Sequence, residues 1–584
     1  MIVLGLSGAL GHDASAALLV DGEIVAAAEE ERFLRDKHAR NRLPLHAARY
    51  CLTESGVAPT DVDVVAFPYA PVSILGTARW HYARRHWYAP DRALDAIFNG
   101  NRRFRRHRSR ILSAGPGLGI DWSRTSFVPV LHHLAHASSA YHLSGFRGRT
   151  AILGIDGKGE YATTFIGVGE QGRIRRIREF YDPDSLAGVY GAITEYLGFE
   201  MLDGEYKVMG MAPYGDAARF DFARLFGCGG ENWDGRVRVD TRLVNTVGLR
   251  RFKANGRGHY FGPRLVERLG TPRCGDGVDE PYIHYAAAAQ RAYEDSCLAL
   301  LDRYLAPVLD ETGRLAFAGG GALNVKLNQR ILARHDVREL FVQPAAGDSG
   351  TALGAATFVA NAGGDVVAPM RHVFLGPRFS TAECRRALRG HDHLHVAVLD
   401  DVASRTADLL AAGSPVAWFQ GRMEFGPRAL GARSILGCPS VRGIADQINA
   451  AIKYRERWRP FCPSMTDDIA ANVLGSDHPA PYMTIAFDVA EEWRSRIPEV
   501  VHVDGTARAQ VVTRVANPRY YALLERLGER TGAPVVLNTS LNRRGEPIAC
   551  TPRDALEIFL GSGLRYLVME DLLVSKDAID PPRG

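Results

Sequence analysis

The hydrophobic positions at the start of the chain fall into three short runs. Residues 2–7 (IVLGLS) form an apolar run typical of a buried strand. GHDASAALLV follows, and Asp21-Gly22 then separates it from EIVAAAEEERF. An Asp-Gly pair between two apolar stretches is typical of a tight hairpin turn. The pattern therefore predicts a strand, a glycine-rich turn, a second strand, a tight turn and a third strand.

The same pattern returns in the middle of the chain. Residues 151–180 repeat the two strands, a Gln171-Gly172 turn and a third strand, and residues 315–328 (LAFAGGGALNVKLN) predict a strand, a glycine turn and a helix. Glycines at such a turn let backbone N–H groups approach a ligand, and a helix N-terminus favours anions. The repeat predicts an α/β fold, α+β overall. Its N-terminal part would be duplicated like that of sugar kinases, actin and heat-shock ATPases, which bind a nucleotide between two lobes.

Histidines are concentrated in VLHHLAHASSAYH, residues 130–142. His132 and His136 are four residues apart, so on a helix they share one face and can reach one metal ion. The glutamate of a zinc-protease HEXXH motif is absent, which excludes that interpretation. The alternative from these residues alone is a polar helix face beside a cleft. His133 falls off this face, and we expect it to have a supporting or structural role.

The domain boundary is predicted from glycine and proline. GDSGTALGAA at 347–356 has small residues suited to close helix packing, and Asp348 lies at a turn where it could cap the helix. NAGGDVVAPM at 361–370 is glycine-rich and contains a proline. We expect a first domain over 1–360, a linker over 361–378 and a second domain over 379–584.

Length and composition exclude several classes of protein. A chain of 584 residues can hold more than one domain, and 46% hydrophobic and 23% charged residues are ordinary for a globular protein. The net charge of +5 does not argue for nucleic acid or an anionic membrane as partner of the whole chain. Eight cysteines without a CxxC pair suit a reducing cytosol. No apolar run approaches the ~20 residues of a membrane span, and no basic region precedes the first apolar run, so we expect a cytoplasmic protein without a signal peptide.

Arginines are concentrated in two parts of the chain. Residues 78–111 interleave arginines with aromatic residues, which favours either a solvated basic excursion or contact with phosphates. Further basic residues lie among glycines and prolines in 419–436, 452–464 and 502–512. Fixed guanidinium groups beside backbone amides suit the oxyanions of phosphate or carboxylate.

Taken in order, the motifs resemble one family. GHDASAAL, EEERF, HHLAHASSAY, DGKGE, EYKVMGMAPYG, GGGALN, GDSGTALGAA, GRMEFGPRALGARSIL, RPFCPS, DGTARAQ and NTSLNRRGEPI span nearly the whole chain. The sequence is similar to O-carbamoyltransferases of the nodulation-protein and antibiotic-tailoring family. The N-terminal part is also similar to the tRNA threonylcarbamoyl-transfer protein, and the C-terminal part to YrdC-like domains.

The resemblance implies a two-step reaction. The C-terminal domain would form carbamoyladenylate from carbamoyl phosphate and ATP, with Mg²⁺ accompanying the ATP. The N-terminal domain would then transfer the carbamoyl group to a hydroxyl of a small natural product such as an antibiotic or oligosaccharide. The expected cofactor is Fe(II), although the donor set also suits other divalent metals.

The resemblance also implies which residues act. His12 would be the catalytic general base, with Asp13 orienting it or capping the turn. The other residues are assigned by ligand: the metal to His132, His136, Asp156 and Asp348; the nucleotide in the N-terminal domain to Gly319, Gly320, Gly321 and Asn324; carbamoyl phosphate and ATP in the C-terminal domain to Arg428, Lys453, Arg459, Arg508 and Arg543. The adjacent Arg543 and Arg544 leave the matching residue open.

Two departures and three alternatives accompany this interpretation. The first hairpin loop is short, and the arginine-rich segment 78–111 matches no family motif, so we expect the segment to shape acceptor binding and to favour an anionic or large acceptor.

A fused tRNA threonylcarbamoyladenosine enzyme is the main alternative. A hydrogenase-maturation carbamoyltransferase should carry CxxC zinc pairs, which this sequence lacks. A non-catalytic nucleic-acid-binding or scaffold protein should lack the metal and phosphate ligands.

Overall fold

A computed structural model gives the fold, and it describes residues 1–230, 233–245, 252–254, 257–275 and 277–578. The chain folds into two compact units. The first comprises Met1–Ile24, Asn41–Ala48 and Gly56–Met370, and the second comprises Val25–Arg40, Arg49–Ser55 and Arg371–Gly584. Two early segments therefore belong with the C-terminal part, which the sequence did not indicate. The last six residues of the predicted second domain, 579–584, lie outside the described residues.

The first sheet is built from the N-terminal hairpins. Its strands are β1 (Ile2–Leu6), β2 (Ser15–Val20), β3 (Glu23–Glu29), β4 (Val64–Phe67) and β5 (Ser126–Pro129), in the order β3-β2-β1-β4-β5. β1 pairs antiparallel with β2 and parallel with β4. The helices that follow β3 and β4 are α1 (Glu30–Leu34), α2 (Leu45–Ser55), α3 (Thr77–Arg85), α4 (Pro90–Asn99) and α5 (Arg102–Ala114).

The second sheet repeats this arrangement. Its strands are β6 (Thr150–Ile155), β7 (Ala162–Glu170), β8 (Arg173–Tyr181), β11 (Arg314–Ala318) and β12 (Glu339–Val342), in the order β12-β11-β6-β7-β8. When the five strands of each sheet are numbered 1 to 5 along the chain, both sheets have the strand order 3-2-1-4-5. The two tight turns also match, because Asp21 and Gln171 have φ of 49° and 50° and each precedes a glycine with positive φ. The predicted duplication and the α/β class are confirmed.

The first unit also contains a short hairpin and nine further helices among its described residues. A short hairpin consists of β9 (Phe252–Ala254) and β10 (Arg257–His259). The helices are α6 (His132–Tyr141), α7 (Leu186–Tyr196), α8 (Glu205–Met211), α9 (Ala223–Phe226), α10 (Pro263–Leu269), α11 (Tyr282–Tyr304), α12 (Ala306–Thr312), α13 (Val325–Leu332) and α14 (Gly350–Ala362). No helix in the described part of the chain is long and apolar enough to cross a membrane.

Small residues let α14 lie against both α6 and β1. A Cβ on Gly354 would lie 1.9 Å from the Ala135 carbonyl oxygen, and one on Gly5 would lie 2.0 Å from that of Ala352. Such contacts are possible only for glycine, so the predicted close helix packing is confirmed. This packing brings the histidines of α6 to the start of α14, where Asp348 lies.

The second unit contains an eight-stranded mixed sheet of order β13-β22-β21-β14-β15-β20-β16-β19. Its strands are β13 (His395–Val398), β14 (Val416–Phe419), β15 (Arg433–Gly437), β16 (Cys462–Thr466), β19 (Gln510–Val512), β20 (Val535–Ser540), β21 (Tyr566–Met569) and β22 (Leu572–Ser575), and β17 (Phe487–Asp488) pairs separately with β18 (Thr506–Ala507). The helices are α15 (Thr381–Ala387), α16 (Val402–Ala411), α17 (Ile444–Ile448), α18 (Asp467–Leu474), α19 (Glu491–Arg494), α20 (Pro518–Thr531) and α21 (Pro552–Leu560). The likeness to YrdC-like domains stays a prediction.

Candidate functional site

The predicted metal ligands form a compact cluster in the first unit. Suitable ligand atoms of His132, His136, Asp156 and Asp348 all lie within 4.8 Å of one another. The His132 Nε2 atom is 3.1 Å from His136 Nε2, 3.6 Å from an Asp156 oxygen and 3.4 Å from an Asp348 oxygen. Ligands about 2.1 Å from a shared cation are roughly 3.0–3.4 Å apart, so this spacing is close to that of a coordination shell.

The protein backbone and nearby side chains fix the orientation of these ligands. His132 Nδ1 is 3.3 Å from the Pro68 carbonyl oxygen, an acceptor that leaves Nε2 directed at the cluster. Gly320 N–H donates to Asp156 at 2.9 Å, which ties the glycine turn after β11 to a ligand. Two imidazole nitrogens and two carboxylate oxygens suit Fe(II), Mn(II) or Zn(II). The donor set and its spacing therefore fit a divalent metal.

Asp348 does not cap the following helix, contrary to our expectation. α14 begins after Ser349 without a side-chain cap, and only the backbone oxygen of Asp348 accepts a bond from Thr351. Its carboxylate faces the histidines instead. Burial by itself raises the pKa of Asp348, but His132 and His12 outweigh burial and hold the pKa well below its usual range. A carboxylate kept ionised in this way can bind a cation.

His12 lies beside the cluster on the turn between β1 and β2. Its Nδ1 is 2.8 Å from the Asp13 carboxylate, and its Nε2 is 3.8 Å from Asp348. Asp13 therefore orients the ring, which is one of the two roles expected for it. Burial lowers the pKa of His12, but Asp348 and Asp13 outweigh burial and raise it to about 9. A cation on Asp348 would offset much of that effect and return His12 toward the neutral form that a general base needs.

Two further residues shape this site. Glu160, which we did not assign from sequence, accepts from the backbone N–H of Ala70 at 2.7 Å and of His132 at 3.2 Å, and so holds the start of α6. Its place in the DGKGE motif was the available signal. His133 is buried among the other histidines, and burial lowers its pKa to about 3, in keeping with a structural role.

The predicted nucleotide residues lie at the turn between β11 and α13. Gly319 has φ of 90°, and a Cβ on Gly321 would lie 2.3 Å from the Tyr293 hydroxyl, so both positions need glycine. Asn324 caps α13 by accepting from Leu327 N–H at 3.0 Å. Its amide also exchanges hydrogen bonds with Gln290. In this conformation Asn324 holds the turn.

In the second unit, Lys453 is buried beside β20. Its Nζ donates to the Ser540 carbonyl oxygen, and the Asn542 side-chain oxygen lies at 2.8 Å. No carboxylate in the described part of the chain pairs with it. Burial lowers the pKa of Lys453 well below its usual range, and the charges of Arg455 and Arg459 lower it further. A bound anion would therefore stabilise the charged form of Lys453, which its surroundings disfavour.

Three of the other predicted basic residues, Arg508, Arg428 and Arg459, lie close to β20 or to Lys453. Arg508 Nη2 is 3.0 Å from the sulfur of Cys462. Cys462 is the strand partner of Asn538 in β20, two residues before Ser540. Asn538 in turn donates to the carbonyl oxygen of Ala429, the neighbour of Arg428. Arg459 approaches the buried carboxylate of Glu456 at 3.4 Å.

Arg543 and Arg544 contact different carboxylates, and which of them binds the substrate anions stays a prediction. Arg544 Nη2 is 3.6 Å from Glu456, the carboxylate that Arg459 also contacts. Arg543 pairs with Glu546 at 3.1 Å. Two sequence-adjacent arginines point to different partners, which the sequence had left undecided.

Two other arginines of the GRMEFGPRALGARSIL stretch are engaged in hydrogen bonds within the second unit. Arg433 is fully buried, lies over the Phe419 ring at 3.7 Å and donates to the carbonyl oxygens of Gln420 and Pro377. Arg422 donates to the Leu375 carbonyl oxygen and to the Tyr50 hydroxyl. The assignment of Arg428 to the substrate anions stays a prediction.

The EEERF motif supports the same stretch from within the second unit. Glu29 accepts from Gly426 N–H at 2.7 Å, while Arg32 donates to the Gly426 carbonyl oxygen at 2.9 Å. Both backbone groups of one glycine, two residues before Arg428, are therefore fixed by this motif.

Comparison with known proteins identifies the chemistry. The family model described as Carbamoyltransferase N-terminus matches residues 2–357, and that described as Carbamoyltransferase C-terminus matches residues 407–576. The chain belongs to the carbamoyltransferase family. Together the two matches cover most of the chain and agree with the motifs that run through both units.

Relatives extend over the full length of this carbamoyltransferase. The nodulation protein NolNO of Sinorhizobium fredii is 36% identical, covering 100% of this chain and 83% of the relative. An uncharacterized protein of Synechocystis is 36% identical over 99% of this chain and 97% of the relative. Nodulation protein U of Azorhizobium caulinodans is 37% identical over 92% of each. The prediction of a carbamoyltransferase enzyme is confirmed.

Proposed function

We propose that this carbamoyltransferase is an ATP-dependent O-carbamoyltransferase that works in two steps. The observation that carries the proposal is the distribution of chemistry between the two units. A cluster of two histidines and two aspartates lies beside His12 in the first unit, whereas a buried lysine among arginines lies in the second. Group transfer and anion activation thus have separate sets of residues.

The first step belongs to the second unit. Water splits carbamoyl phosphate into carbamate and phosphate, and a carbamate oxygen then attacks the α-phosphorus of ATP, releasing pyrophosphate and forming carbamoyladenylate. Two polyanions must meet, so several cations are needed to offset their repulsion. Lys453, Arg459, Arg508 and Arg428 supply these charges, and Arg543 or Arg544 adds to them. An anion also favours the protonated form of Lys453, which burial alone opposes.

The second step belongs to the first unit. His12 accepts the proton of the acceptor hydroxyl at Nε2, because Asp13 engages Nδ1. The hydroxyl oxygen attacks the carbamoyl carbon, and AMP leaves. His132, His136, Asp156 and Asp348 would hold a divalent metal, Fe(II) by the family resemblance, which supplies positive charge to stabilise the departing phosphate. The acceptor would be a hydroxylated natural product such as an antibiotic or oligosaccharide.

The test is a reaction of the full chain with carbamoyl phosphate, MgATP and a set of hydroxylated compounds. We expect AMP, pyrophosphate and phosphate in equal amounts, and an acceptor that gains the mass of one carbamoyl group. AMP formation that does not need carbamoyl phosphate would contradict the first step. A parallel reaction with threonine, bicarbonate, ATP and tRNA tests the main alternative. Formation of modified tRNA in that reaction would support the tRNA-modifying enzyme and contradict the proposal.

A further inference from the structure

Helix α5 carries an unusual charge. Its thirteen residues include six arginines and no acidic residue. Five of the arginines are exposed: Arg102, Arg103, Arg105, Arg106 and Arg108. No ion pair in the described part of the chain involves any of these five. Arginines in the first turn oppose the helix dipole, and like charges three and four residues apart repel each other, so this composition costs stability.

One stripe of α5 lies against the turn that carries His12. Arg103 Nη2 donates to the Leu10 carbonyl oxygen at 3.0 Å, and Arg110 donates to the carbonyl oxygens of Ala9 and Asn41. Arg103, Arg106 and Arg110 are three and four residues apart, so they share this side of the helix. Arg106 thus lies between two arginines that contact the turn, and it is exposed.

The inner face of α5 fixes this position. His107 is buried, with its ring 5.2 Å from Phe67 and 4.8 Å from Tyr69. Arg103 also lies over the Tyr69 ring at 5.6 Å. The helix is therefore held firmly, and its arginines are presented by a rigid element.

The exposed arginines lie close to the transfer site. Arg103 Nη2 lies 3.9 Å from where a Cβ of Gly11 would be, and Gly11 immediately precedes His12. The nearby carboxylates are engaged elsewhere, because Asp13 contacts His12 and Asp348 contacts His12, His132 and His136. Among the described residues, the arginines of the stripe consequently present positive charge beside the general base without an ion-pair partner.

We propose that Arg103 and Arg106 bind an anionic group of the acceptor, a phosphate, sulfate or carboxylate, and thereby direct its hydroxyl to His12. The proposal rests on the proposed function and names the class of its acceptor. Guanidinium groups pair with such oxyanions through two parallel N–H donors. Binding of the acceptor would then explain why α5 carries arginines that reduce its stability.

The experiment uses matched acceptor pairs and the full chain. N-acetylglucosamine and glucose are compared with their 6-phosphates, and N-acetylglucosamine also with its 6-sulfate, by calorimetric binding and by carbamoyl transfer. Wild type should bind the anionic member of a pair more tightly. Arg106→Ala should reduce the anionic preference in binding and in 1/KM about tenfold, with kcat little changed, since a charge-assisted hydrogen bond is lost. Arg106→Lys should restore part of it.

Arg108→Ala is the matched control. Arg108 has the same charge and exposure but falls two residues from Arg106, on another side of the helix. It should keep the wild-type preference. Equal losses in Arg106→Ala and Arg108→Ala would reduce the effect to general charge and overturn the proposal.

Two other results would overturn it. If no anionic member binds more tightly than its neutral partner, α5 does not select the acceptor. If Arg106→Ala slows neutral and anionic acceptors equally, the arginines serve the phosphate of the adenylate instead. Carbamoyladenylate formation is measured separately, so failure of the proposed function shows as loss of that step while the binding comparison still decides the role of α5.

Discussion

Replacing Glu29 with glutamine should make the protein more stable at neutral and alkaline pH. The Glu29 side chain is buried, and only one of its oxygens has a hydrogen-bond partner among the described residues, the Gly426 N–H. Burial raises the pKa of Glu29 to about 7, although Arg32 opposes that effect. Glutamine can still accept the Gly426 bond, and Arg32 keeps Glu31 as a partner at 3.2 Å.

The magnitude follows from the difference in proton binding. The unfolded chain loses the Glu29 proton near the ordinary glutamate pKa of 4.5, whereas the folded chain keeps it until about pH 7. The folded state binds more protons in this window, so the contribution to stability is complete below pH 4.5 and is lost as pH rises to 7. A shift of this size corresponds to about 3 kcal/mol. Glutamine does not ionise and avoids the loss.

Differential scanning calorimetry of the full chain between pH 5 and pH 8 tests this reasoning. Glu29→Gln and wild type should differ little at pH 5, and at pH 8 the second unit, which contains Glu29, should unfold roughly 6–12 °C higher in the variant. Glu491→Gln is the control, because the Glu491 side chain is 92% exposed and should show no such change. If Glu29→Gln had the same pH dependence as wild type, or were less stable at pH 8, the folded protein would not keep the Glu29 carboxyl protonated between pH 5 and pH 7.

Three further predictions concern the two sites. His12→Asn should abolish carbamoyl transfer and leave carbamoyladenylate formation intact in an assay of ATP-to-AMP conversion; loss of both would contradict the division of labour. Arg508→Ala should abolish carbamoyladenylate formation, while transfer from carbamoyladenylate supplied in the assay continues; product formation at the wild-type rate from carbamoyl phosphate and ATP would refute its role. Asp348→Asn should lower the bound metal, measured by elemental analysis, from about one ion per chain, because it removes a ligand charge; an unchanged metal content would exclude Asp348 as a ligand.

Local chemistry in the sequence was enough to predict the repeated hairpins and the HxxxH helix. Asp-Gly and Gln-Gly pairs between two predicted strands are typical of tight turns, and helical spacing alone puts His132 and His136 on one face. The small residues at 347–356 also predicted close helix packing, and at Gly354 the two backbones approach so nearly that only glycine fits.

The sequence alone did not reveal where long-range partners would lie. The Asp348 carboxylate faces the histidines instead of capping α14. The sequence could not show this, because Asp348 lies 212 residues or more after these histidines and only the packing of α14 on α6 brings them together. Arg543 and Arg544 could not be told apart, because adjacent side chains differ only in direction. Likewise, EEERF gave no sign that it holds Gly426, nearly 400 residues away.

The sequence by itself therefore determined the repeated α/β units, the carbamoyltransferase motifs and the residue types that can bind metal and phosphate. Those features depend on periodicity, turn chemistry and side-chain chemistry, which act within a few residues. The tertiary structure alone decided that His12 meets Asp348, that Arg544 and Arg459 contact the same carboxylate, and that the arginines of α5 lie beside the turn of His12. These arrangements depend on how distant segments pack, and packing is set by the whole fold.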